Sequence, residues 1–432
     1  LSISIQPEDV TGWNEKRTVK VSSPELAGKT VHVTLESETK PVTLSSTSSG
    51  KAEGTVDWTL SHVGTYTFTA SFDGDNVYKS CSSSLNYETS KEDQESFTFV
   101  DNEDNVLTGI SSDLSGKSLV YDKDTEVSLA KLKGGITPER YDFACTNDTG
   151  NMIKDTLKVE DGVLKFTPKA AGTFTITVTK KHSDYNDASE KLTVTVAKKQ
   201  INLVKVKAVD KIYDGNTDIT VTAKLKPEDL EADERADGSN VELTVFGTAV
   251  DKNAAENKTV SYEKFTFDTN DAVQNALNDN YVLNNLEDDE RTTTVNINKK
   301  KLALEVVIND QNSKDPETGA LLREFTDYKN CDGVSVTVTG FIGEEGPASL
   351  EGYKAPVPVV DDSVVNRQFA PGTVIANAIV PDITNANATN NYEFDTINAV
   401  KASLKMAAQR IDLDKLLSVD NGNSTNAYQN SE

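Results

Sequence analysis

Strict alternation of apolar and hydroxyl-bearing side chains, repeated along the chain, is the feature that most narrows what this sequence can become. Across Thr65-Tyr66-Thr67-Phe68-Thr69-Ala70-Ser71-Phe72 the aromatics and Ala occupy every second position and the hydroxyls fill the others. Only an extended strand sends successive side chains to opposite faces, so this stretch predicts a half-buried antiparallel strand. The pattern returns at Thr173 to Thr179, Leu192 to Val196, Val241 to Val245 and Val334 to Val338, with polar turn clusters between. Helical signals are confined to Asp271 to Leu277 and Ile411 to Leu417. Strands interleaved with long helices are absent, which argues against the α/β folds that carry most nucleotide and hydride chemistry.

Gly64-Thr65-Tyr66-Thr67-Phe68-Thr69 and Gly172-Thr173-Phe174-Thr175-Ile176-Thr177 are near copies. Their separation is about one sandwich length of roughly 100 residues, which suggests repeated units. Polar turns bearing a tyrosine follow, at Asp75-Asn76-Val77-Tyr78 and Asp184-Tyr185, and comparable turns recur at Asn280-Tyr281 and Asn390-Asn391-Tyr392. A chain of 432 residues exceeds a single core. The expected fold class is all-β, as tandem immunoglobulin-like β-sandwich domains in an extended array. The expected division is 1-90, 91-199, 200-300 and 301-408, with a polar tail over 409-432. Boundaries fall at polar joints near Thr89 to Asp93, at Lys198-Lys199-Gln200 and at Lys299-Lys300-Lys301. None contains a Gly-Ser tract, so adjacent domains have little freedom, and four domains of about 35 Å make a semi-rigid rod of about 140 Å.

Motifs carry resemblances to known families. Gly64-Thr65-Tyr66-Thr67-Phe68 resembles the tyrosine corner of immunoglobulin sandwiches, with Phe68 where vertebrate domains place a cysteine. With the turn at Asp73 to Tyr78 it looks like the bacterial Ig-like domains of surface and adhesion proteins. The second domain is similar but has Phe174 at the corner position, so packing must hold its loop. Lys211-Ile212-Tyr213-Asp214-Gly215-Asn216-Thr217, with Asn280-Tyr281-Val282-Leu283, resembles the YDG repeat of large bacterial adhesins. The fourth domain, with Asn309 to Pro316, Val336 to Phe341 and Asn390-Asn391-Tyr392, resembles the MBG repeat, but lacks that repeat's tyrosine-glycine after the lysine. These resemblances imply a bacterial cell-surface or secreted protein and imply no chemistry.

Formal charge is -25, from 69 acidic and 44 basic residues, which disfavours nucleic acid and anionic lipid as partners. No apolar run is long enough to enter a membrane, and the alternating start at Leu1 lacks a signal peptide's features, so the chain reads as an excised segment or a mature form. Cys81, Cys145 and Cys331 fall in three different expected domains, which excludes a disulfide inside any one of them. The three histidines, His32, His62 and His182, include no short-spaced pair, so no triad or zinc site is assigned. The acidic clusters Glu231-Ala232-Asp233-Glu234 and Glu287-Asp288-Asp289-Glu290 read as solvated loops. Asp73-Gly74-Asp75-Asn76 and Asp101-Asn102-Glu103-Asp104-Asn105 offer oxygens that would suit calcium, although such residues also build ordinary turns and neither stretch fits an EF-hand.

Trp58 shares a face with Val56 and Leu60 and belongs in a core, whereas Trp13 lies in a Gly-bearing loop and is the better exposed candidate for stacking on a sugar. Tyr213-Asp214-Gly215 reads as a tight turn with the tyrosine packed beside it. No catalytic, cofactor or metal residue is assigned, so no enzyme activity is expected. The expected role is a monomeric, non-enzymatic, extracellular adhesin stalk, with host or cell-surface glycoprotein or glycan as the class of partner. The rival readings are a binding module using the Trp13 loop or the loop from Gly343 to Pro358, and an accessory region of a secreted carbohydrate-active enzyme.

Overall fold

The computed structural model describes residues 1–7 and 12–408. The expected tail at 409–432, and with it the helical signal from Ile411 to Leu417, lies outside the described residues. The fold is all-β, with 50% of residues in strands and 6% in helices, arranged as several small sheets.

Two four-stranded sheets enclose the first core. One runs Ser2–Gln6, Lys16–Ser23, Ala52–Thr59, Ser45–Ser46, and the other Glu38–Thr43, Thr30–Leu35, Thr65–Phe72, Cys81–Glu88. The alternation in Thr65–Phe72 does what its period demands: Phe68, Ala70 and Phe72 are buried, while the threonines face outward and pair with Asn86 and Ser84 of the next strand. Trp58 is buried edge-on against Phe68, with ring centroids 6.1 Å apart. The tyrosine corner is present, because the Tyr66 hydroxyl donates to the His62 carbonyl at 2.7 Å and accepts from its N–H at 3.0 Å.

A second pair of sheets follows: Gly109–Ile110, Ala188–Val196, Gly172–Lys181, Arg140–Thr146, and Lys158–Glu160, Val163–Phe166, Val127–Gly134, Phe97–Val100. Phe174 is buried among Ile176, Val178 and Val194, which is the packing expected where the corner hydroxyl is missing. Next comes one seven-stranded sheet in the order Lys211–Ile212, Thr292–Asn298, Ala255–Tyr262, Glu242–Ala249, Asp218–Leu225, Lys199–Ala208, Tyr281–Asn284. A helix over Ala272–Asn280 begins where the sequence suggests, with the Asp271 side chain accepting from the Gln274 N–H at 2.9 Å. The last two sheets are Val334–Thr339, Lys300–Ile308, Tyr392–Val400, and Leu321–Glu324, Ala402–Ala407, Val374–Asp382, Val357–Val360. Val306, Ile308, Leu321, Ile379 and Leu404 form their core.

Of the polar stretches expected as joints, the one near Thr89 to Asp93 stays outside strand between Cys81–Glu88 and Phe97–Val100, while the other two are nearly consumed by strand. Ala188–Val196 and Lys199–Ala208 are separated by two residues, and Thr292–Asn298 and Lys300–Ile308 by one. The chain divides into two compact units. Among the described residues the first holds 1–7, 12–201, 228–238 and 269–282, and the second holds 202–227, 239–268 and 283–408. Among the described residues no helix is long and apolar enough to cross a membrane.

Candidate functional site

Three groups of buried polar residues lie where consecutive groups of sheets meet within a unit. These contacts share a plan: an aromatic side chain of the earlier sheets meets, edge to face, the tyrosine of a polar turn in the later ones.

In the first unit, Tyr121 precedes strand Val127–Gly134 and Tyr281 follows helix Ala272–Asn280. Their ring centroids are 5.3 Å apart at an interplanar angle of 81°. Both are about 1% exposed, so each buried hydroxyl needs a partner. Glu234 supplies it for both: Tyr121 donates to Oε1 at 2.8 Å and Tyr281 to Oε2 at 2.5 Å. The Glu231 N–H donates to the Tyr281 hydroxyl at 2.8 Å, and the Lys123 ammonium lies 2.9 Å from Glu234 Oε1. Asn280 accepts from the Ala171 N–H at 2.9 Å, which pins the turn from its other side. Burial chiefly, and then the hydrogen bond to Glu234, push both phenols well above their ordinary range.

The second unit repeats this construction nearly residue for residue. Tyr213 and Tyr392 are again about 1% exposed, with centroids 5.5 Å apart at 80°. Glu345 accepts from Tyr213 at 2.7 Å on Oε1 and from Tyr392 on Oε2. The Ile342 N–H donates to the Tyr392 hydroxyl at 3.0 Å, Lys252 lies 3.3 Å from Glu345 Oε1, and Asn391 accepts from the Ala254 N–H at 2.8 Å. In both clasps the tyrosine follows its carboxylate by 47 residues and its backbone donor by 50. Burial and then the carboxylate raise Tyr213 and Tyr392 to about 12. Burial alone would raise Glu345, but donors from Tyr392, Tyr213 and Lys252 outweigh it and hold its carboxyl below the usual range. Gly215 follows Tyr213-Asp214 at φ 83°, and a Cβ there would stand 3.0 Å from Ile342, so both backbone and contact call for glycine. The Lys211 ammonium holds this loop through Asp214, Asn216 and the Asp218 carbonyl.

The remaining contact, also in the first unit, keeps the ring geometry with different polar groups. Trp13 meets Tyr185 at 5.2 Å and 80°. Asp184, with a side chain 5% exposed, accepts from the Val63 N–H at 2.7 Å and lies 3.2 Å from His62 Nδ1. Burial would raise the Asp184 carboxyl, but the Val63 N–H and His62 more than offset it, leaving it lowered.

Two sequence expectations are corrected here. Trp13 is not a freely exposed ring, because it is half-buried and packs edge-on against Tyr185. Glu231 to Glu234 is only in part a solvated loop: Ala232 and Asp233 are exposed, but Glu231 is 6% exposed and pairs with Lys199 at 2.5 Å, and Glu234 closes a clasp. The loop from Gly343 likewise spends Glu345 on its clasp. By contrast, Glu287 to Glu290 is exposed as expected. Tyr213 is packed, though against Tyr392 rather than beside its own turn alone. Two of the carboxylates offered as calcium ligands, Asp75 and Asp101, are engaged by their own turns. Asp101 accepts from the Glu103 and Asn105 N–H groups, and Asp75 accepts from Val77 and Tyr78 while pairing with Lys29. Among the described residues no cluster of three or more His, Cys, Asp or Glu is placed to hold a metal ion, and the three cysteines are free thiols. His32, in the strand Thr30–Leu35, is only partly buried.

Residues 197–293 match the family model described as the YDG domain, a stretch that includes Tyr213, Glu234 and Tyr281. No curated protein matched the chain. Among solved structures, the fibronectin(III)-like modules of CbhA from Clostridium thermocellum align at 12% identity over 45% of this chain and 94% of theirs, with a TM-score of 0.18. A D1–D4 ectodomain fragment of ICAM-5 aligns at 11% identity over 61% of this chain and 74% of its own, at 0.28. A Ca2+-stabilised adhesin that helps an Antarctic bacterium reach out and bind ice aligns at 11% over 78% and 82%, at 0.18.

Proposed function

We propose that this chain is a non-enzymatic spacer of an extracellular bacterial surface protein, four sandwich domains in series that hold a binding partner for host or cell-surface glycoprotein or glycan away from its anchor. The observation that carries this reading is the repetition of one clasp, Tyr121–Glu234–Tyr281 and Tyr213–Glu345–Tyr392, at successive meetings of sheets. A chain whose loops were selected to bind a small ligand would leave polar side chains converging on an open cavity. In the two clasps the buried polar groups are spent on one another, and each edge-to-face pair adds about 0.5–1.5 kcal/mol beyond its area. The match of residues 197–293 to the YDG domain agrees with the motif Tyr213-Asp214-Gly215.

Small-angle X-ray scattering with and without calcium tests the reading. The expected result is a calcium-independent maximum dimension of about 140 Å, the sum of four strand-length sandwiches. A compact or calcium-switched particle would sink it.

A further inference from the structure

Two of the chain's three histidines meet at the Trp13–Tyr185 contact, and neither tyrosine–glutamate clasp contains one. Their bonding differs in kind. His62 Nδ1 faces the Asp184 carboxylate, whereas His182 Nδ1 accepts the Asp184 backbone N–H at 3.0 Å. An imidazole that accepts at Nδ1 must be unprotonated there. The His182 ring also lies edge to face on Tyr185, with centroids 5.2 Å apart at 73°. Tyr185 in turn meets Trp13, so the His182 bond shapes the turn that presents both Asp184 and Tyr185 to the first pair of sheets.

We propose that this contact is a pH-sensitive hinge: a proton on His182 Nδ1 displaces the Asp184 N–H, releases the Asp184–Tyr185 turn and loosens the first pair of sheets from the second, while the two clasps stay closed. The proposal rests on reading these contacts as the working parts of a spacer, and it names how one of them is regulated.

The charged groups around the turn set the direction. Glu139 Oε1 is 3.8 Å from His182 Nδ1, is held by Ser183 and stands ready to receive the ring once it turns away protonated. Lys91 donates to the His182 and Tyr185 carbonyls at 3.0 and 3.3 Å, adding a positive charge that a histidinium inside the turn would face. Glu92 pairs its backbone with the turn, and Asp93 accepts from Asn186 at 2.8 Å. On the first pair of sheets, Arg17 is bound to Glu15, Tyr87 and the Gly12 carbonyl. His62 opposes loosening, since its protonated ring would attract Asp184, and a protonated His182 would attract the same carboxylate. The His62 side chain is 73% exposed, against 22% for His182. Asp184 itself is buried, so the release rests on the loss of the N–H acceptor at His182 Nδ1 and not on weakness of the His62 pair.

The test uses the whole chain between pH 7.5 and 5.5, the span in which histidines change charge. Amide hydrogen exchange at Asp184, corrected for its intrinsic pH dependence, is expected to accelerate about fivefold on acidification, the effect of losing one ordinary hydrogen bond. Amides of Glu231 and Ile342, which donate inside the clasps, are expected to stay constant. Trp13 emission should change with the same midpoint, and Trp13→Phe should remove that signal. His182→Gln should abolish the pH response and His62→Ala should preserve it. Unchanged Asp184 exchange in the wild type, slower exchange at low pH, or a response that follows His62 alone overturns the hinge. The wild-type exchange result stands even if His182→Gln fails to fold. Scattering at pH 7.5 separately judges the spacer reading, so failure of one is distinguishable from failure of the other.

Discussion

The Tyr213–Glu345–Tyr392 clasp and the Trp13–Tyr185 contact bring two rings together in nearly the same way, at 5.5 and 5.2 Å and close to a right angle. They differ in what satisfies the polar groups around the rings. In the clasp one carboxylate accepts from two phenols, groups that change charge far apart on the pH scale, so its hydrogen bonds hold over a wide interval. In the other contact a carboxylate, two imidazoles and a backbone N–H are interlocked, and one imidazole can bond only while unprotonated. Ring packing sets where the parts sit, and the polar partners set under which conditions they stay.

The largest break in this comparison should come from removing the shared acceptor. Glu345→Ala leaves two buried hydroxyls and the Lys252 ammonium without their carboxylate. Urea unfolding is expected to show a loss of about 3 kcal/mol, the range of a charged hydrogen bond plus unsatisfied donors. Glu234→Ala should do the same in the first unit. A loss below about 0.5 kcal/mol in both would mean that the rings alone hold the contact.

High pH should act more gradually. The folded chain raises Tyr213 and Tyr392 to about 12, from an unfolded value near 10. The stability they contribute is therefore fully present below about pH 10 and is lost as pH rises through about 12. Ultraviolet titration should show tyrosinate appearing late for these two and for the still more strongly raised Tyr121 and Tyr281, together with falling stability. Glu345, held below its usual range, works in the opposite direction, and its share is lost only as pH falls through its lowered value.

The smallest effect separates a bond inside one sandwich from the contacts between them. Tyr66→Phe removes the corner hydroxyl from the His62 backbone while keeping the ring, and about 1 kcal/mol should be lost on thermal or urea unfolding. Phe174, at the matching place in the second pair of sheets, shows that packing can replace that bond. Phe174→Ala should cost more than Tyr66→Phe, because it opens a cavity in a full core. If Tyr66→Phe instead disturbed the Trp13–Tyr185 contact, the corner would belong to the hinge, since His62 takes part in both.

Much of the fold was legible in the sequence. Period-two alternation fixed the strands and their buried faces, the Asp271 cap marked a helix, and the Gly-Thr-aromatic repeats and tyrosine-bearing turns marked recurring units. Those signals are local, written within ten residues, because they follow from backbone geometry. The turns at Asn280-Tyr281 and Asn391-Tyr392 could be found for the same reason, but what they touch could not. Glu234 lies 47 residues before its tyrosine in a stretch as acidic as any exposed loop, and nothing nearby distinguishes it from Glu287 or Glu290. The equal spacing in the second clasp was the available signal, and it is recognisable only when the two copies are aligned on their carboxylates. Trp13, similarly, is half-buried through its contact with Tyr185, far away in the chain.

The sequence by itself determined the all-β class, the strands, the tyrosine corner and the turns, since each depends on neighbours along the chain. Tertiary structure alone decided which carboxylates are buried and which tyrosines pair. Those choices depend on residues tens to more than a hundred positions apart, whose meeting desolvates charges that every local pattern would leave in water.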